Sequence, residues 1–323
     1  MRRTLRVALT LLVSGLAVAY ILDKVDVHKT GHIIGNASVP WLILSGLLTL
    51  VTVPPMAWRW QRLLVARGLE EEVPWLTRAY FVSYAWAQIL PTGVGGDASR
   101  IFETARRHPG QITPVTGSVL LERALGAAVT LVLAGVGLLL AIGRYRIGVY
   151  AWLEAGFVVG TIAAGVVFFS RTVRRRLKFV VPFVRRVRLE TPARAVYDGI
   201  HGYRDHPGTL LTVSLVTVVL QLTRIVAIYA SGRAVGIHLS LLPYVVLGPL
   251  LFLVMLVPFT VNGLGVREAF FINFLAHLDV PADKAFACGF LFFLATVLLA
   301  LPGLAVIVWE QVFDRRLPLL RSG

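Results

Sequence analysis

The sequence has few charged residues and a single cysteine. Only 15% of its 323 residues are Asp, Glu, Lys or Arg, whereas 57% are hydrophobic. This composition excludes an ordinary soluble domain, and apolar runs long enough to cross about 30 Å of hydrocarbon indicate a polytopic membrane protein. Because Cys288 has no second cysteine to pair with, an intrachain disulfide is excluded.

Motifs typical of several enzyme classes are also missing. The sequence contains no Walker motif and no nucleophile motif, and the glycines of 93–96 do not follow a strand, which argues against ATP hydrolysis, Ser-His-Asp catalysis and dinucleotide binding. His28 and His32 share helical spacing, but no third ligand accompanies them, which favours a solvated loop over a metal site. We therefore expect no metal and no cofactor.

Acidic residues are scarce relative to basic ones, at 17 against 32, and the formal net charge is +15. No nucleic-acid-binding module accompanies this charge, so we expect no nucleic-acid partner. The densest basic segment, 171–208, is expected to meet anionic lipid headgroups, or else only to set the topology. The apolar runs predict six membrane spans, at 5–22, 39–58, 113–142, 151–170, 209–231 and 284–309.

The amino terminus resembles a secretory signal peptide, because Met1 and two arginines precede an apolar run that ends in small residues at 17–19. The run is long for a signal peptide. We expect it to be retained as the first span.

Two short segments share the pattern P-x-x-x-[G/N]-G-x-x-x-R. Residues 91–100 read PTGVGGDASR and residues 258–267 read PFTVNGLGVR, so Pro91 and Pro258 lie 167 positions apart. Each segment interrupts an apolar run. Broken hydrophobic segments at corresponding places in two halves are the best sequence indication of a transporter's binding site.

The interrupted segments 79–108 and 243–278 are predicted to be re-entrant hairpins. The apolar stretch 79–90 would rise only about 18 Å as a helix, which is too short to span. Arg59 and Arg78 precede it and Arg106 follows it, so both flanks should be cytoplasmic. The tips, near 91–97 and 258–265, must then lie within protein or face a wet cavity.

The repeat extends beyond the two tips, because Trp58-Arg59 and Thr223-Arg224 precede them at similar distances. We predict an all-α polytopic membrane protein with a first membrane repeat at 1–150 and a second at 151–323. Each repeat holds three spans and one hairpin. Three is odd, so the second repeat is inverted relative to the first, and a site is expected near the midplane where the two meet.

Segments 90–100 and 257–268 resemble the two signatures of the lysylphosphatidylglycerol synthase transmembrane region, a flippase-like family. The resemblance implies a multi-pass inner-membrane protein that handles a membrane lipid, with an anionic phospholipid or a polyprenyl-phosphate-linked substrate as its partner. A lipid-modifying enzyme is a further partner to consider. The synthase reaction belongs to a soluble aminoacyltransferase domain in larger members, and we do not expect that reaction here.

Charged and glycine residues within the apolar segments are the candidate substrate-binding residues. Ionisable groups in spans are costly and are functional candidates by default, and arginine matches phosphate oxygens with a planar fork. Structural clasps are the alternative, with Arg100 pairing to Asp97 or Glu103 and Arg267 pairing to Glu122. The candidates are Gly95, Gly96, Asp97, Arg100, Glu122, Arg123, Arg224, Asn262, Gly263, Gly265, Arg267 and Glu268.

Three functions are compatible with these features. The leading hypothesis is a flippase or transporter of a lipid or lipid-linked substrate that binds an anionic headgroup between the two hairpins. One alternative is an intramembrane lipid headgroup transferase with a tip carboxylate as base. The other is a non-transporting partner of a glycosyltransferase or lipid-modifying enzyme.

The six-span arrangement places both termini in the cytoplasm. A cysteine introduced at position 321 in a Cys288→Ala background should resist membrane-impermeant maleimide in intact cells and react after permeabilisation. Labelling from outside intact cells would contradict the topology.

Overall fold

The computed structural model describes residues 19–89, 95–141, 205–255 and 265–313, together with 156, 159, 202 and 203. Within these residues the chain is helical and has no strands. After a helical stretch at 19–24, the first part of the chain contains α1 Val27–Gly35, α2 Val39–Val51, α3 Val53–Val65, α4 Val73–Ile89, α5 Gly95–Arg107 and α6 Ile112–Ala141. The second part contains α7 Pro207–Ala234, α8 Leu242–Met255, α9 Val266–Ala276, α10 Ala282–Val297 and α11 Ala300–Phe313.

Four helical segments of the described chain are long and apolar enough to cross a membrane. They are Val39–Val65, Ile112–Leu140, Pro207–Ala234 and Ala282–Glu310. Only 28–39% of the residues in their most apolar windows are buried, so the rest of each span presents apolar side chains to hydrocarbon. The all-helical membrane architecture is therefore confirmed. The predicted spans 5–22 and 151–170 lie outside the described residues except at 19–22, 156 and 159.

Two boundaries differ from the sequence prediction. The first described span continues to Val65, seven residues past the predicted end at 58, because Pro54 and Pro55 lie in the first turn of α3, where a missing N–H costs no helical hydrogen bond. The predicted stretch 79–90 is the end of a longer helix, α4, which begins at Val73 with Pro74 in its first turn. Its 17 residues rise about 25 Å.

The helices α4 and α5 form an antiparallel pair, hairpin 1, and α8 and α9 form a second pair, hairpin 2. In hairpin 1, Arg78 near the start of α4 bonds Glu103 of α5 at 3.0 Å and also bonds Glu310 of α11. We call this end of the helix assembly end A. Hairpin 1 therefore opens at end A.

Hairpin 2 opens at the other end of the assembly, end B. There the backbone N–H of Ser38 donates to the carbonyl of Ala234 at 2.8 Å, and Lys29 pairs with Asp283 at 2.9 Å. Short connections join α7 to α8 and α9 to α10 at this end. The two helix pairs therefore open at opposite ends of the assembly. Segments 90–94 and 256–264, which hold most of the predicted tips, lie outside the described residues.

Each hairpin has its own hydrophobic core. Around hairpin 1, Trp60, Leu76 and Tyr80 are buried against α6, and around hairpin 2, Tyr244, Leu247 and Phe271 are buried against α7 and α10. Met56, Tyr80 and Leu220 of the first core also line the cavity described below.

The first helix of each hairpin also packs against the last span of the opposite half, α4 on α11 and α8 on α6. The approach is close because a glycine faces backbone in both places. A Cβ on Gly303 would lie 2.0 Å from the carbonyl oxygen of Phe81, and one on Gly137 would lie 2.9 Å from that of Val245. The two glycines are 166 positions apart, within one residue of the motif spacing.

Gly303→Ala should destabilise the protein, because the added methyl group has no space against the α4 backbone. Overpacking of this kind costs roughly 1–3 kcal/mol. Gly126→Ala is the matched control, since a Cβ there meets nothing within 4 Å, and alanine improves helix propensity. Thermal unfolding in detergent should show a lower midpoint for the first variant alone. Equal midpoints would show that the α4–α11 contact is loose.

Candidate functional site

A cavity of about 380 Å³ lies between hairpin 1 and the spans α3, α6 and α7, and α8 closes one side. Charged and polar residues come from α3, α4, α5, α6 and α7, whereas α8 contributes only apolar side chains. The charged residues of the lining are Arg59, Asp97, Arg100, Glu122, Arg123 and Arg224. The other residues are Met56, Tyr80, Ser83, Tyr84, Ala87, Gly96, Gly126, Ala127, Thr130, Thr217, Leu220, Gln221, Phe252 and Met255.

Glu122 of α6 is the centre of a buried network in the cavity wall. Its Oε1 accepts hydrogen bonds from Arg59 of α3 and, at 2.5 Å, from the hydroxyl of Tyr80 of α4. Its Oε2 accepts from Nη1 of Arg100 of α5 at 2.8 Å. Arg59, Arg100 and Glu122 are 6%, 3% and 4% exposed. One carboxylate therefore connects four helices, and its charge offsets part of that of two arginines.

Arg100 is fully engaged by its neighbours. Besides Glu122, its Nη1 donates to the Tyr80 hydroxyl at 2.8 Å, and its Nε and Nη2 both reach Oδ1 of Asp97 at 3.1 and 3.0 Å. Its guanidinium also lies over the rings of Trp60 and Tyr80. Of the clasp partners considered for Arg100, Asp97 is present and Glu103 is not, because Glu103 bonds Arg78.

Asp97 lies in the first turn of α5, where a negative charge is favoured by the helix dipole. Its Oδ2 accepts from Nε of Arg123 of α6, whose side chain is half exposed. Asp97 thus links the start of α5 to α6 and holds two arginines at the cavity.

Gly96 lines the cavity beside Asp97, and the chain approaches α4 closely here. A Cβ on Gly96 would lie 2.5 Å from the carbonyl oxygen of Ser83. Any larger residue would push α5 away from α4. Gly95 is also buried, but it does not line the cavity.

Arg224 of α7 has only neutral partners within the described chain. Nη1 lies 3.4 Å from Oε1 of Gln221, Nη2 lies 3.3 Å from Sδ of Met56, and the guanidinium stands over the ring of Phe252. Four arginines and two carboxylates line the cavity, so its described lining carries two more positive than negative charges. This excess favours an anionic ligand.

The Nε of Arg59 has no acceptor among the described residues. Nη1 of the same guanidinium donates to Oγ1 of Thr217 at 2.8 Å and Nη2 donates to Glu122, and Nε itself is buried. A buried donor without a partner is costly and calls for an explanation.

The second motif forms a separate, closed pair. Arg267 donates to Oε1 of Glu268 at 2.9 Å and lies over the ring of Phe293, while the N–H of Gly265 donates to Oε2 of Glu268 at 2.8 Å. Gly265 has φ 84°, a left-handed conformation that favours glycine. None of these three candidates lines the cavity, and Asn262 and Gly263 lie outside the described residues.

The spacing of the motifs explains why the two arginines have different partners. The offset of 167 positions places Gly289 opposite Glu122, and Ile101 opposite Glu268. A Cβ on Gly289 would lie 2.9 Å from the ring of Phe271, so no carboxylate can project there. The pair that the sequence suggests between Arg267 and Glu122 is absent, because Arg267 bonds Glu268 and Glu122 bonds Arg59 and Arg100.

The sequence predicts Arg59 beyond the end of the second span, whereas in the structure it is buried within the long apolar segment Val39–Val65. One feature of the sequence could have indicated that Arg59 belongs to the site. Trp58-Arg59 and Thr223-Arg224 occupy corresponding places in the predicted repeat, and both arginines line the same cavity. The polar residues Tyr80, Thr130, Thr217 and Gln221 carried no such signal.

Tyr80→Phe should weaken the network, because it removes a hydroxyl that bonds Glu122 and Arg100. We expect a loss of about 1–2 kcal/mol in the free energy of unfolding. Tyr84→Phe is the matched control, since its hydroxyl bonds only the sulfur of Met56 at 3.5 Å. Chemical denaturation in detergent measures both. If the two variants lose the same stability, the Tyr80 hydroxyl contributes nothing specific.

The chain was compared with known proteins. Residues 7–303 match the family described as the lysylphosphatidylglycerol synthase transmembrane region, in agreement with the resemblance carried by the two motifs. No curated protein matches the chain at a significant level. Since the match covers nearly the whole chain, including every element of the cavity, the chain belongs to the lysylphosphatidylglycerol synthase transmembrane region family.

Proposed function

We propose that this protein is a flippase or transporter of a lipid or lipid-linked substrate in the cell membrane, and that the cavity receives an anionic headgroup. The observation that carries the proposal is the excess of arginine over carboxylate in a cavity of about 380 Å³ among membrane spans. Charges at this depth are expensive and mark substrate pathways. Arginine forks match phosphate oxygens, the charged group of most anionic headgroups.

The lining of the cavity suits a molecule with a polar head and an apolar tail. Three of the four arginines line the α3, α5 and α6 side, and Leu220, Phe252 and Met255 line the α7 and α8 side, where the fourth, Arg224, lies over the ring of Phe252. A headgroup at the arginines would direct its hydrocarbon toward the apolar residues. Burial of those chains against apolar side chains avoids exposing them to water.

The arrangement of the hairpins favours transport. Hairpin 1 opens at end A and hairpin 2 at end B, and each packs its first helix against the last span of the opposite half. We interpret this reciprocal packing as the symmetry expected of two inverted repeats, at 1–150 and 151–323. In such transporters one repeat rocks against the other around a midplane site, and the re-entrant hairpins would then gate the cavity alternately from the two faces.

The charges of end A support a cytoplasmic orientation of that end. Arg62, Arg67, Arg106 and Arg107 are exposed there, so end A faces the cytoplasm by the positive-inside rule. Both termini then lie in the cytoplasm, and hairpin 1 is the cytoplasmic gate.

Arg224→Ala should abolish lipid movement if the cavity receives the headgroup. The purified protein is reconstituted in vesicles containing fluorescent phosphatidylglycerol, and dithionite quenching reports the lipid that reaches the outer leaflet. Arg106→Ala, which removes an exposed arginine outside the cavity, is the matched control and should retain wild-type rates.

Mass spectrometry of the vesicle lipids separates the alternatives. A modified headgroup would replace the flippase by an intramembrane transferase. Wild-type protein that neither moves nor modifies phosphatidylglycerol or a polyprenyl-phosphate-linked lipid would favour a non-transporting partner of another enzyme. Equal loss of movement in the Arg224 and Arg106 variants would contradict the role of the cavity.

A further inference from the structure

Arg59 lines the cavity, and only one of the two donors on one edge of its guanidinium has an acceptor among the described residues. The Nε and Nη2 groups of an arginine point along one edge and together bind two oxygens of a phosphate or carboxylate. In Arg59 this edge holds Glu122 through Nη2 alone, and the buried Nε is left without a partner in the described chain. The edge therefore has one buried donor without an acceptor among the described residues.

Arg100 differs in that the same edge is complete. Its Nε and Nη2 both contact Oδ1 of Asp97, at 3.1 and 3.0 Å. An incoming anion finds no free donor there. Among the two buried arginines that contact Glu122, Arg59 alone can gain a hydrogen bond without losing one.

Glu122 blocks the full use of that edge. A phosphate that binds Arg59 through both Nε and Nη2 competes with Glu122 for Nη2. The carboxylate then keeps Arg100 at 2.8 Å and the Tyr80 hydroxyl at 2.5 Å, so its release from Arg59 leaves it bonded on both oxygens.

We propose that Glu122 is a resident counter-anion, which neutralises Arg59 in the empty site and is displaced from it by the phosphate group of the ligand. This inference rests on the proposed function, since it assumes that an anion enters the cavity. In the empty site the carboxylate prevents the cost of an uncompensated buried guanidinium. In the loaded site its competition lowers the affinity, and a transported ligand must bind weakly enough to leave.

The competition makes Glu122 a determinant of affinity whose removal strengthens binding. Glu122→Gln keeps the shape of the side chain and its contact with Tyr80, but it removes the negative charge that competes for Arg59. We expect dihexanoyl phosphatidate, a short-chain lipid with a phosphate monoester, to bind about tenfold more tightly, which is the effect of one charge-assisted hydrogen bond. Lipid movement should slow, because release becomes limiting.

The binding titration uses full-length protein in nanodiscs, with calorimetric detection and thermal unfolding of every variant. Glu103→Gln is the matched control, because it removes a partly buried carboxylate of hairpin 1 that pairs with Arg78 outside the cavity. It should leave the affinity unchanged. Arg59→Lys keeps the charge beside Glu122 but loses the Nε–Nη2 edge, and it should weaken binding about tenfold.

The outcomes separate this inference from the proposed function. Unchanged or weaker binding in a folded Glu122→Gln variant overturns the counter-anion role while the flippase proposal stands. Should that variant not fold, Arg59→Lys decides, and an unchanged affinity there overturns the role. If wild-type protein binds inorganic phosphate but not phosphatidate, the displacement of Glu122 survives and the lipid assignment fails. If wild-type protein binds neither, both proposals fail.

Discussion

The burial of arginine among apolar helices is the constraint on which the rest of the site depends. By membrane-insertion scales, a single charged residue at the centre of a span costs about 2.5–3.5 kcal/mol. Arg59 and Arg100 are both nearly inaccessible, and one carboxylate, Glu122, contacts both. Because these residues and Tyr80 belong to α3, α4, α5 and α6, their mutual bonds set the relative positions of four helices. The cavity wall is thus held by charge as much as by hydrophobic packing.

The two halves share an arrangement of helices but not a distribution of charge. Each has a hairpin that packs against the last span of the other half, and each has a glycine at that contact. Hairpin 1 nevertheless shares its charges with the cavity, whereas hairpin 2 closes Arg267 on its own neighbour Glu268. Gly289 at the place of Glu122, Leu264 at the place of Asp97 and Glu268 at the place of Ile101 go with this difference. The two hairpins therefore have unequal chemical roles.

Much of this protein could be predicted from its sequence. The family is confirmed, and four of the six predicted spans are found as long apolar helices, because both depend on local patterns: two motifs of ten residues and long apolar runs. Arg59 could not be placed correctly, since an arginine close to Arg62 and Arg67 has the local pattern of a cytoplasmic flank. Its burial depends on Glu122, which is distant in sequence and on another helix. Partners brought together by tertiary packing leave no local signal.

The exchange of hairpins between the halves has a consequence for biogenesis. Hairpin 1 is synthesised before its packing partner α11, and Gly303 follows Phe81, which it contacts, by 222 positions. At about 5–20 residues per second, the chain between these residues takes roughly 10–45 s to be made. During that interval α4 lacks one of the helices it packs against, so this face of α4 must be shielded by the insertion machinery or by the first spans. The packing of hairpin 1 is therefore completed only after the second half of the membrane region has been made.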